Sequence, residues 1–106
     1  MDEISIVFVT AGSEDEAATI GRTLVEDRLA ACANIVSRIR SIYRWQEKIH
    51  DEQESLIIIK IRTSQFDAVK KRIKELHSYE VPEIISFPVA RGLAEYLEWV
   101  QSETIG

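Results

Sequence analysis

One short segment brings together several side chains that could do chemistry. Residues 77–89 have the sequence HSYEVPEIISFPV, which contains one of the two histidines and both prolines of the chain. An imidazole close to carboxylates can bind a divalent metal such as Cu²⁺ or Zn²⁺, and the same groups can exchange protons. We therefore predict that His77 is the candidate metal ligand, with Glu80 and Glu83 as further ligands and Tyr79 lining the same cleft.

The same segment also has a purely structural interpretation. His77 lies at the end of a predicted helix, where a cationic imidazole interacts favourably with the helix dipole. Pro82 pushes the residue before it out of helical geometry, and Pro88 suits an edge strand. The residues alone leave both interpretations open.

A second set of polar side chains could bind an anion. Arg38, Arg40 and Arg44 lie on one long predicted strand. In a cleft between subunits their guanidinium groups could bind an anionic ligand, although ion pairs between subunits would use them equally well. The acidic stretch 14–16 has the opposite charge, and we expect it to be a solvated helix face.

Composition limits the class of protein. At 106 residues, 45% of them hydrophobic, the chain is predicted to form one domain over residues 1–106 with its own core. A net charge of −5 disfavours nucleic-acid binding, and no apolar stretch is long enough for a membrane span. The single cysteine, Cys32, fits a reducing compartment, so we expect a cytoplasmic protein. No nucleophile is paired with a base at a recognisable spacing, which argues against an enzyme.

Hydrophobic periodicity predicts the elements that position these side chains. Strands are expected over residues 4–10, 29–44, 55–62 and 83–89, with a bulge near Ser37 and a polar turn over 46–53. Helices are expected from an N-cap at Ser13 to about residue 28, from an N-cap at Ser64 to about 76, and over 93–102. This order predicts an α+β fold, a ferredoxin-like βαββαβ sandwich with an extra C-terminal helix.

The predicted sheet has more apolar surface than its two main helices can cover. Residues 6–9 and 56–59 are apolar at consecutive positions, so they send apolar side chains to both faces. Right-handed crossovers put both main helices on one face. Exposing the other face would leave an apolar patch larger than monomers usually tolerate. We therefore expect partner subunits to cover it.

Four segments together resemble the CutA family of divalent-cation-tolerance proteins. They are RLAACANI (28–35), SIYRWQEKI (41–49), HSYEVPEI (77–84) and YLEW (96–99). The likeness covers essentially the whole chain, in order and at matching spacing. It departs at Ser78, where members of the family usually have proline.

The resemblance implies a tight homotrimer of ferredoxin-like subunits, similar in architecture to the PII signalling proteins, which bind small ligands in intersubunit clefts. It implies a non-enzymatic role in tolerance of divalent metal ions, with Cu²⁺ as the candidate ligand. Some members carry further copper ligands at the positions of Val9 and Leu76; both are apolar here, so only His77 remains of that set. The alternatives are a PII-like sensor of a small anion and a scaffolding trimer without metal.

Overall fold

The computed structural model describes residues 2–106 and shows one four-stranded sheet with three α-helices. The elements are β1 (Ile4–Ala11), α1 (Glu14–Glu26), β2 (Cys32–Trp45), β3 (Lys48–Arg62), a 3₁₀ turn (Thr63–Gln65), α2 (Phe66–Leu76), β4 (Ile84–Pro88) and α3 (Ala94–Ser102). The strands are antiparallel in the order β2-β3-β1-β4, which confirms the predicted fold class. No helix in the described part of the chain is long and apolar enough to cross a membrane.

Helices α1 and α2 cover the same face of the sheet, as the two right-handed crossovers require. Alternate side chains of β1 and β3 point to this face and are completely buried. The shared core consists mainly of Val7, Val9, Ile57, Ile59 and Ile61 from the strands, Ile20 and Leu24 from α1, and Val69 and Ile73 from α2. Burial of this set is the main source of stability for the subunit.

The opposite face of the sheet is covered only at one end. There Val100 of α3 packs with Ile4 at the start of β1. Beyond α3 the face remains apolar and accessible, and on β4 Ile85 is 54% and Phe87 is 42% exposed. The extra helix therefore covers part of the apolar face that the two main helices do not reach, and most of that face stays open.

Strands β2 and β3 form a long hairpin with a turn of only two residues. Gln46 and Glu47 have φ values of 50° and 66°, the positive pair that a type I′ turn requires. The predicted polar turn over 46–53 is therefore wrong, because residues 48–53 belong to β3. Most of these residues are polar, and Ile49 is exposed, since the hairpin projects beyond the helices and both of its faces meet solvent.

The predicted bulge in β2 is confirmed and changes which side chains share a face. The register with β3 shifts between Val36 and Ile39, and Arg38 has a φ of 61°. One extra residue in a strand reverses the alternation beyond it. Ala33 therefore points to the helices, whereas Ile39, opposite Glu54, points to the other face. The odd-numbered residues of β2 therefore do not share one face along the whole strand.

The helix boundaries differ from prediction where turns intervene. Ser13 caps α1, accepting a 3.1 Å hydrogen bond from the Glu16 amide, as predicted. The helix ends at Glu26 because Arg28 takes a φ of 60°, which delays the start of β2 to Cys32. Ser64 does not cap α2: a 3₁₀ turn precedes this helix, and the Ser64 hydroxyl donates to Asp2 instead.

Candidate functional site

A cleft of about 720 Å³ lies between the projecting hairpin and the segment after α2. Residues 79–83, which we call the wall segment, form one side, and the β2–β3 hairpin forms the other. The lining includes the four carboxylates of Glu52, Glu54, Glu80 and Glu83 and the three aromatic rings of Tyr43, Trp45 and Tyr79. The positively charged side chain in the lining is that of Arg40. The balance of charge favours a cation over an anion in this cleft.

The β2 bulge places the aromatic side of the cleft. Beyond it, Tyr43 lies directly opposite His50, and the two rings stack with their centroids 5.0 Å apart. The Tyr43 hydroxyl donates a 3.0 Å hydrogen bond to Glu52 on the same face. Desolvation, together with this bond, raises the pKa of Tyr43. The phenol therefore stays a hydrogen-bond donor at neutral pH.

A buried hydrogen bond joins the wall segment to the sheet. The Tyr79 hydroxyl donates to Oε2 of Glu54 over 2.8 Å, and Glu54 is only 7% exposed. Burial of Tyr79 is the main cause of its raised pKa, and the bond to Glu54 adds to the effect. A Cβ at Gly12 would lie 3.3 Å from the Tyr79 hydroxyl oxygen, so this position leaves little room for a larger residue.

His77 lies behind the wall segment and does not line the cleft. Its side chain is fully buried, with its ring 4.6 Å from the ring of Tyr79. Nε2 lies 2.7 Å from the Thr10 carbonyl oxygen, and Nδ1 accepts a 3.0 Å hydrogen bond from the Tyr79 amide. Copper binding by His77 stays a prediction, and it would require one nitrogen to leave its present partner.

Glu16 belongs to this network, although its sequence context predicted a solvated helix face. Its Oε2 accepts a 2.7 Å hydrogen bond from the Ser78 amide and lies 3.6 Å from Nδ1 of His77. Burial acts to raise the pKa of Glu16, but hydrogen bonds from Ser78 and Gly12 outweigh it, so the pKa lies below its ordinary value. The expectation of a solvated side chain is therefore wrong for Glu16. Its partner is 62 residues away in the sequence, so no local pattern could have indicated the contact.

Of the three arginines predicted to bind an anion, the structure brings only Arg40 to the cleft. Its guanidinium forms two hydrogen bonds with the Asp51 carboxylate, of 2.8 and 2.7 Å. These bonds raise the pKa of Arg40 and lower that of Asp51. Arg38 lies in the bulge and Arg44 lies opposite Ile49, and neither lines the cleft. The arginines therefore do not converge on one site within the subunit.

The cleft residues do not form a complete metal site in one subunit. Within residues 2–106, no three His, Cys, Asp or Glu side chains are grouped closely enough to hold an ion. Glu80 and Glu83 are accessible on the wall segment, while Glu54 is bound to Tyr79. A cation in this cleft would need ligands from elsewhere, such as a neighbouring subunit or water.

Known proteins match this chain over almost its whole length. The CutA1 divalent ion tolerance protein family model covers residues 5–103. The divalent-cation tolerance protein CutA of Thermus thermophilus is 48% identical over 99 residues, which are 93% of this chain and 96% of that protein. Protein CutA of Homo sapiens is 43% identical over 101 residues, which are 95% of this chain but only 56% of the human protein.

Solved structures give the same result. The structure of the divalent cation tolerance protein from Thermus thermophilus matches with a TM-score of 0.93 at 48% identity, covering 95% of this chain and 98% of that one. CutA1 from Oryza sativa, 36% identical, matches with a TM-score of 0.95 over 98% of this chain and 95% of its own. Both the sequence and the fold place this chain in the CutA1 family of divalent ion tolerance proteins.

Proposed function

We propose that the protein is a non-enzymatic homotrimer that takes part in tolerance of divalent metal ions by binding a cation in clefts at its subunit boundaries. The observation that carries this proposal is the acidic lining of the cleft beside the wall segment. The names of the relatives, which describe divalent-cation tolerance, support the same role.

The trimer is supported by the apolar surface that the subunit leaves open. Ile85 and Phe87 are exposed on the uncovered face, and Ile42 and Ile49 are 64% and 62% exposed on the projecting hairpin. Strands β2 and β4 are both sheet edges with free hydrogen-bonding groups. A soluble subunit gains stability when copies of itself cover such surfaces, and closed symmetry limits the assembly.

The cation is supported by the chemistry of the lining. Carboxylate oxygens favour divalent cations, and negative charge in a concave site concentrates them. Cu²⁺ remains the candidate that the resemblance to the family implies. Oxygen ligands suit harder ions such as Mn²⁺ better than copper, which prefers imidazole or thiolate. We propose that Glu80 and Glu83 supply the ligands from this chain and that a neighbouring subunit completes the site.

The anion-sensing alternative has less support, because Arg40 is the only one of its three arginines in the cleft and it is paired with Asp51. A scaffolding trimer without ligand makes the opposite prediction to ours. It leaves the cleft carboxylates without a binding role.

Calorimetric titration of the purified oligomer tests the proposal. Light scattering should first give a mass of about three times the 12.1 kDa subunit. Titration with Cu²⁺ and, separately, Mn²⁺ should then show saturable binding with a fixed ratio per subunit. Binding should be lost in the double variant Glu80→Gln with Glu83→Gln. The charge-matched control is Glu95→Gln with Glu98→Gln on α3, which removes two exposed carboxylates away from the cleft.

Two results would contradict the proposal. A monomer in light scattering would remove the subunit boundary on which the site depends. A trimer that binds neither ion above background would leave scaffolding as the better explanation.

A further inference from the structure

His77 is buried in a contact network whose donors and acceptors determine its tautomer. A carbonyl oxygen can only accept a hydrogen bond, so Nε2, which lies 2.7 Å from the Thr10 carbonyl, must carry a proton. A backbone amide can only donate, so Nδ1, which lies 3.0 Å from the Tyr79 amide, must present its lone pair. The two bonds together select the arrangement with the proton on Nε2 and the lone pair on Nδ1.

These bonds attach the start of the wall segment to the rest of the fold. Through His77, the Tyr79 amide is joined to Thr10 in β1. The neighbouring Ser78 amide is bound to Glu16 in α1, and the Tyr79 hydroxyl is bound to Glu54 in β3. Two adjacent residues are therefore held from three different elements, two strands and one helix.

The wall segment itself has little else to hold it. Residues 77–83 contain no helix or strand, and Glu80 and Glu83 are exposed, as is Val81, by 64%. Segments with few buried contacts open locally at low free energy. The hydrogen bonds at Ser78 and Tyr79 therefore decide where Glu80 and Glu83 stand in the cleft.

We propose that His77 is a positioning residue, which fixes the wall segment through the amide of Tyr79 and does not contact the ligand of the cleft. The His77 ring does not line the cleft, whereas the Tyr79 ring beside it does. The link to ligand binding rests on the proposed function, whereas the anchoring of the wall segment does not.

Two substitutions separate the two bonds of the ring. The side-chain oxygen of asparagine can occupy the place of Nδ1, so His77→Asn should keep the bond from the Tyr79 amide. The longer glutamine places its amide group near Nε2, so His77→Gln should keep the bond to Thr10 and lose the bond from Tyr79. Amide hydrogen exchange measured by NMR reports the opening of the Tyr79 amide directly.

We expect the Tyr79 amide to exchange about five to ten times faster in His77→Gln than in the wild type, the factor expected for one lost buried hydrogen bond. In His77→Asn the exchange rate should stay within about twofold of the wild-type rate. Each rate is divided by that of the Ile73 amide in the core of α2, so that a change in global stability cancels. Equal ratios in both variants and the wild type would overturn the proposal.

The wild type provides a second test that does not depend on the variants folding. Ring-nitrogen NMR at neutral pH should show His77 protonated on Nε2 and accepting at Nδ1. Protonation on Nδ1, or selective loss of the His77 ring signals at substoichiometric Cu²⁺, would contradict a positioning role.

Calorimetry with Cu²⁺ and Mn²⁺ then tests whether the hydrogen bond from the Tyr79 amide to His77 affects cation binding in the cleft. Binding should weaken in His77→Gln and be retained in His77→Asn. If the wild-type trimer binds neither ion, the proposed function fails, and the exchange ratios still decide whether His77 anchors the wall segment.

Discussion

The two halves of the β2–β3 hairpin use the same strands in opposite ways. In the first half, residues 32–36 and 56–60 lie against the helices, and Ile57 and Ile59 are completely buried. In the second half, residues 39–45 and 48–54 project beyond the helices, and Ile42 and Ile49 are mostly exposed. Apolar β-branched residues favour a strand in both halves, but burial depends on what lies against them. The first half builds the subunit, and the second half forms the cleft.

Truncation of one isoleucine in each half should give the largest difference in the free energy of unfolding. Ile59→Ala should lower the free energy of unfolding by about 2–5 kcal/mol, since it leaves a cavity in the core. Ile49→Ala should cost less than about 0.5 kcal/mol in the subunit, because its side chain already meets solvent. Urea denaturation measures both over a range of protein concentrations, so that the concentration-dependent cost of a lost subunit contact is separated from the cost within the subunit. Similar losses for the two variants would contradict the difference between the halves.

Loss of one tyrosine hydroxyl at the boundary between the halves should have the next largest effect. Tyr79→Phe leaves the buried Glu54 carboxylate without its donor, which should cost about 1–3 kcal/mol of unfolding free energy. The matched control is Tyr43→Phe, whose hydroxyl bonds to the exposed Glu52 in the projecting half. That change should cost less than about 0.5 kcal/mol. Equal effects would mean that burial of Glu54 does not strengthen the contribution of its hydrogen bond.

Replacing the two turn residues of the projecting half should stabilise the folded protein. Gln46→Asn with Glu47→Gly replaces two residues at positive φ by the pair that type I′ turns prefer. The change should raise the free energy of unfolding by about 1 kcal/mol, since it removes backbone strain. Thermal denaturation measures the effect, and Gln46→Asn alone is the control with a smaller gain. A lower melting temperature in the double variant would contradict the type I′ geometry.

The smallest effect should be an acid-dependent one at Glu16. Because the pKa of Glu16 in the folded protein lies below its ordinary value of 4.5, its ionised form stabilises the fold. This stabilisation is present above pH 4.5 and is lost as the pH falls through the lower folded pKa. Urea denaturation at about pH 6 should show that Glu16→Gln is less stable than the wild type, and the difference should shrink as the pH falls below 4.5. The control Glu14→Gln, at an exposed position in the same turn, should show no such convergence; a constant difference for Glu16→Gln would contradict the pKa shift.

The pattern of the sequence predicted the elements well where apolar residues mark a buried helix face or a buried strand. The stripe of Phe66, Val69, Ile73 and Leu76 identified α2, and the apolar runs identified β1 and the core part of β3. The prediction was wrong for residues 48–53, because a strand that meets solvent on both faces carries no alternating pattern. It was also wrong for Ser64, because a 3₁₀ turn is locally indistinguishable from the first turn of a helix.

The candidate site was predicted only in part. Tyr79, Glu80 and Glu83 do line a cleft, and the segment that carries them was identified by its composition. The opposite wall was not predicted as part of this cleft, because Glu52 and Glu54 were placed at a predicted hairpin tip, where a solvated acidic turn was preferred over a loose cation site. No signal in the chain indicated that the β2 bulge would turn Tyr43 towards these carboxylates.

The sequence by itself determined the order of strands and helices, the apolar excess of the sheet and the membership of the family, because these follow from local periodicity and from residues in fixed order. Only the tertiary structure decided that His77 is buried behind Tyr79, that Glu16 binds Ser78, and that Arg40 is paired with Asp51. Contacts such as that of Glu16 join residues distant in sequence, and their partners depend on how the sheet, helices and loops come together.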